Sequence, residues 1–96
     1  MASTNGKNNG HDPELLTFPC KIDIKALGHQ SSRFEALVHE IVSRHTEPGD
    51  LLAISRRESR GGKYVAVTVT IQSRSRAQLD AIYQALSDCK DVLMAL

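Results

Sequence analysis

The chain has 96 residues, 41% of them hydrophobic and 24% charged, with a formal net charge of +1. That length holds one small domain, and the composition is that of an ordinary globular one. So even a charge balance excludes a global field that would gather polyanions, and any nucleic-acid contact would need a local basic patch.

Residues 1–12, MASTNGKNNGHD, are polar with almost nothing to bury, so they are expected to form a disordered tail ahead of one domain spanning 13–96. A short helical turn is expected near Glu14 to Leu16. The opening has no apolar signal region, and no apolar run nears the roughly 18–20 residues of a membrane span. A cytoplasmic protein is expected, with Cys20 and Cys89 as buried or half-buried free thiols.

In chain order, CKIDIKAL (20–27) alternates, with Cys20, Ile22, Ile24 and Ala26 on one face, and Gly28 closes the strand. The period then changes: Phe34, Leu37, Val38, Ile41 and Val42 fall on one helical stripe, with Ser32 and Glu35 as a capping box. Glu40 and Arg44 are spaced to pair along its solvent side. The turn EPGD (47–50) stops that helix. A second strand, LLAISRRES, carries charge in its second half, and Gly61 and Gly62 turn it into KYVAVTVTIQS, where Val65, Val67, Val69 and Ile71 share a face. Leu79, Ile82, Tyr83 and Leu86 mark a second helix, capped by Ser75 and Gln78, and VLMAL (92–96) reads as a last, apolar strand.

The order β-α-β-β-α-β predicts an α+β fold: a ferredoxin-like two-layer sandwich with an antiparallel sheet of order 4-1-3-2. Both helices would cover the valine face. The other face, with Lys21, Asp23, Lys25, Tyr64, Thr68 and Thr70, would stay open.

Four stretches, FPCKIDIKALG (18–28), RHTEPGD (44–50), KYVAVTVTI (63–71) and VLMAL, resemble in their order and spacing the small bacterial YbeD-like family, which has been linked to lipoate regulation. The resemblance covers nearly everything after residue 13. It implies an α/β sandwich similar to ACT regulatory domains, a regulatory role and no enzymatic activity. The family supplies no catalytic residues to carry over. ACT domains commonly use the loop after their first strand for small ligands, so the resemblance also implies a ligand end for this chain.

The topology brings Gly28, Ser31, Ser32 and Arg33 to the same end of the sheet as Arg56, Arg57, Arg60 and Lys63. A glycine, a helix N-terminus and several cations together make a candidate site for a small anionic ligand. The competing reading is a solvated hairpin whose glycines serve only the turn. Glu58 and Asp91 are placed to neutralise part of the cluster.

The basic hairpin also raises a weaker nucleic-acid reading. In RGGKYVAV, Arg60, Gly61, Tyr64 and Val65 fit an RNA-recognition pattern, but Gly62 and Val67 stand where aromatics are wanted. Tyr64 then serves as an edge or sheet-packing residue. His39 and His45 are six apart, about 240° around a helix, which argues against a shared metal. No cofactor motif and no nucleophile with its base can be assembled. The expected partners are a small anionic ligand or a protein, with the chain either a monomer or a weak homodimer through VLMAL.

Overall fold

The computed structural model describes residues 16–96. Within them the elements are β1 (Cys20–His29), α1 (Phe34–Ser43), β2 (Leu51–Glu58), β3 (Tyr64–Ser73), α2 (Arg76–Asp88) and β4 (Met94–Ala95). The sheet order is β2-β3-β1-β4 with antiparallel neighbours, the ferredoxin-like arrangement expected from the alternation of periods. The expected tail and the turn at Glu14 and Leu15 lie outside the described residues. Leu16 and Phe18 pack against the core.

The core lies between the helices and one face of the sheet. Ile24 and Ala26 of β1 and Val65, Val67, Val69 and Ile71 of β3 are buried against Phe34, Val38, Ile41 and Val42 of α1 and Leu79, Ile82 and Leu86 of α2. Two central strands thus present one alternating apolar set to two helical stripes. Cys20 and Cys89 are half-buried and free. No helix among the described residues is long and apolar enough to cross a membrane.

Three local expectations are corrected. Gly28 does not close β1: the strand runs on to His29, and Gly28 pairs with Val65 inside it. A Cβ there would lie 2.6 Å from Cζ of Phe34 and 2.8 Å from the carbonyl oxygen of Asp91, so glycine is needed for close approach and not for a turn. Ser32 and Glu35 form no capping box. Arg33 occupies the N-cap without a side-chain cap, and Ser31 Oγ accepts the Arg33 N–H at 3.1 Å, turning the chain one residue earlier. β4 is also shorter than VLMAL. The Val92 N–H is committed to the turn after α2, donating to the Cys89 carbonyl at 3.0 Å, so the strand itself is Met94–Ala95, with Leu93 and Leu96 bonding the backbone of Leu27 and Lys25 on either side of it.

β1, β2 and α2 all run toward one end of the sheet. The β1–α1 loop, the β2–β3 hairpin and the α2–β4 turn therefore meet there, while the α1–β2 and β3–α2 turns meet at the other end. That second end is closed by a polar network. Asp50, only 5% exposed, accepts from Arg74 Nε at 2.6 Å and Nη2 at 3.1 Å. Gln78 Oε1 accepts the Arg74 N–H at 2.7 Å, and its Nε2 donates to the His45 carbonyl at 2.7 Å. Ser75 Oγ accepts the Gln78 N–H at 3.0 Å, the half of the second capping box that forms. The Arg74 guanidinium, through its hydrogen bonds and then its charge, holds the Asp50 carboxyl below its ordinary value, against the opposing effect of burial.

Candidate functional site

At the open end a cleft of about 580 Å³ lies between the N-terminal half of α1 and the α2–β4 turn. This is within the usual size range of small-molecule sites. Its polar wall is Ser31, Ser32 and Arg33 from the β1–α1 loop, faced by Lys90 and Asp91 from the turn after α2. Phe34, Ala36 and Leu37 supply apolar surface, and Glu40 stands farther along α1. Arg33 and Glu40 are seven residues apart, two helical turns, so they fall on one stripe about 10 Å long with Ala36 and Leu37 between them.

The walls are held together beneath the cleft. Phe34, 3% exposed, and the Asp91 carbonyl both press against the Cα of Gly28, joining the start of α1, the end of β1 and the entry to β4. The Leu93 N–H then donates to the Leu27 carbonyl at 2.7 Å, anchoring the turn to β1.

The charges around the cleft differ in their commitments. Glu40 is paired with Arg44 at 2.6 Å, as its spacing predicts. Among the described residues, the side chains of Arg33, Lys90 and Asp91 enter no hydrogen bond or ion pair. With Glu40 counted together with its partner Arg44, Arg33 and Lys90 against Asp91 leave one surplus positive charge at the cleft.

The residues singled out from the sequence do not all converge. Ser31, Ser32 and Arg33 line the cleft, and Gly28 lies beneath it. Arg56, Arg57, Arg60 and Lys63 are not among its lining residues. The loop does meet the hairpin, where the Gln30 N–H donates to the Lys63 carbonyl at 2.9 Å and Gln30 Nε2 to Glu58 at 2.8 Å. Yet Arg56 and Arg57 are consecutive in β2, so they point to opposite faces of the sheet. Arg56, opposite buried Val67, is tied to Glu58 at 3.1 Å, while Arg57, opposite Ala66, lies on the open face. Tyr64 is a partly exposed residue at the start of β3, its ring 5.3 Å from that of His29.

Sequence reasoning passed over Lys90 as a site residue and named Asp91 only as a neutralising charge. The signal was present in the topology: α2 returns the chain to the end where β1 and the hairpin finish, so its exit turn had to join them. Among the described residues no group of three or more His, Cys, Asp or Glu is placed to hold a metal ion.

Residues 13–96 match the family DUF493, described as a protein of unknown function. A UPF0250 protein of Nitrosomonas europaea is 39% identical over 85 residues, covering 88% of this chain and 98% of its own. A UPF0250 protein of Chromobacterium violaceum is 37% identical over 83 residues, 86% of this chain and 93% of that one. In fold, the chain is similar to the solution structure of HP0495 from H. pylori, with a TM-score of 0.65 at 14% identity, covering 84% of this chain and 85% of that one.

Proposed function

The chain belongs to the DUF493 family, the same small bacterial family as the YbeD-like proteins, and we propose that it is a non-catalytic regulatory module that binds a small monoanionic metabolite in the open-end cleft. The observation that carries this reading is the pairing of two uncommitted cations, Arg33 and Lys90, with the apolar surface of Phe34, Ala36 and Leu37. A carboxylate with a short apolar body satisfies both walls at once: its charge meets the cations and its chain leaves water. The first turn of α1 adds backbone N–H groups that favour negative charge, a smaller contribution. Lipoate is a molecule of this class, which is what connects the reading to lipoate metabolism in the cytoplasm.

The absence of catalysis in this reading rests on the cleft hydroxyls. Ser31 Oγ serves the backbone of Arg33, and among the described residues neither the Ser31 nor the Ser32 hydroxyl is hydrogen-bonded to a basic side chain that would raise its nucleophilicity. Weak nucleic-acid binding by the hairpin draws less support, because Arg56 is tied to Glu58 and Arg57 faces away from it.

The test is an amide-shift titration of the ¹⁵N-labelled protein with lipoate, octanoate and inorganic phosphate. Saturable shifts at residues 29–37 together with 90 and 91, stronger for the two carboxylates than for phosphate, are expected. Arg33→Ala and Lys90→Ala should each weaken them. Shifts confined to residues 57–63 would move the anion site to the hairpin, and no saturable shift with any of the three would end the proposal.

A further inference from the structure

The open face of the sheet carries a second, separate chemistry. The register places Met94 beside Leu27, Leu27 beside Ala66, and Ala66 beside Arg57, so four strands contribute one row across the sheet. At the spacing of neighbouring strands this row is about 14 Å long. Its β4 end is apolar and accessible, with Met94 52% exposed, and its β2 end is a guanidinium. Lys25 and Lys21 follow on the same face of β1, since alternate residues share a face.

The charge on this face is lopsided. Lys21, Lys25 and Arg57 make no ion pair among the described residues. The one carboxylate among them, Asp23, accepts a 2.6 Å hydrogen bond from the hydroxyl of Thr70. That bond fixes Asp23 against the sheet. Three unpaired cations and one carboxylate thus share the face with the apolar row, a surplus of two positive charges.

We propose that this face docks an acidic protein segment whose apolar residues cover Met94, Leu27 and Ala66 while its carboxylates meet Arg57 and Lys25. The balance of charge selects this occupant over a second copy of the chain, which would bring the same three cations against each other. It also selects a protein segment over nucleic acid. Phosphates would gain nothing from the apolar row, and the two rings the central strands place on this face, His29 and Tyr64, lie at its end with centroids 5.3 Å apart, already engaged with each other. Met94, Leu27, Ala66, Arg57 and Lys25 line no part of the cleft, so this proposal stands independently of the ligand reading.

The experiment uses the full ¹⁵N-labelled chain at low salt with four probes of equal length. These are a Glu/Leu peptide, a Lys/Leu peptide, a Glu/Ser peptide and an oligo(dT). The Glu/Leu peptide alone should give saturable shifts at Lys25, Leu27, Ala66, Thr68 and Met94. Lys25→Glu and Arg57→Glu, shown folded by circular dichroism, should weaken its binding about tenfold or more together. Equal binding of Glu/Ser would reduce the site to charge alone and overturn the proposal. So would stronger binding of oligo(dT), the same shifts appearing with protein concentration alone, or no shift with Glu/Leu.

Discussion

At one end of the sheet Asp50 takes two hydrogen bonds from Arg74, and Gln78 spans Arg74 and the carbonyl of His45, so a charged pair and an amide tie the two turns together. At the other end Arg33, Lys90 and Asp91 surround a cleft, and their side chains bond to nothing among the described residues. Both ends are built from loops between the same two layers. Partnered polar groups lower the free energy of the fold and specify one arrangement of the turns. Unpartnered ones add little to the fold and stay available to a ligand, and loops of this kind are where binding residues concentrate.

The largest effect expected from breaking this contrast comes from Gly28, the point where the open end is fastened down. Gly28→Val places side-chain atoms against the ring of Phe34 and the backbone of Asp91, and backbone cannot swing aside. A loss of about 3 kcal/mol in urea unfolding is expected. An unchanged midpoint would show that the junction beneath the cleft is loose.

Asp50→Asn comes next. It keeps the shape of the closed end but removes the charge that Arg74 grips, and it should lower the melting temperature measurably. The same substitution should leave carboxylate binding at the other end intact, and a change in binding would show that the two ends are coupled.

Acid gives a graded version of that test. Because Arg74 holds the folded carboxyl of Asp50 below the ordinary 3.8, the unfolded chain takes up this proton first as pH falls. The stabilisation is full above the ordinary value and disappears as pH drops through it and then through the folded value. Melting temperatures of the wild type and Arg74→Gln should differ at about pH 6 and converge toward about pH 2. A gap that stays constant over that range would mean the pair's charge contributes nothing to the fold.

The smallest effect on stability is expected where the effect on binding is greatest. Arg33→Ala and Lys90→Ala remove exposed, unpaired charges, so each should change unfolding free energy by no more than about 0.5 kcal/mol. If either proves as damaging to folding as Asp50→Asn, the open end is structural and the contrast fails.

Much of the architecture was legible in the residues themselves. The period-2 runs at 20–27 and 64–72 and the stripes of Phe34, Val38, Ile41 and Val42 and of Leu79, Ile82 and Leu86 determine which side of each element must leave water. One right-handed sandwich buries all four. The pairing of Glu40 with Arg44, the cap at Ser75 and the turns at Gly49, Gly61 and Gly62, each at positive φ, are equally local, because their partners lie within a few residues. What depended on distant partners was not legible. Gly28 looked like a terminator until Phe34 and the Asp91 carbonyl were brought against it. Arg56 and Arg57 looked like two members of one cluster, although the pleat sends them to opposite faces. Lys90 became a wall of the cleft only because α2 returns its end to the first loop. Periodicity sets the face a residue shows, but a cleft is a juxtaposition of segments far apart in the chain, and only the packed tertiary structure decides that.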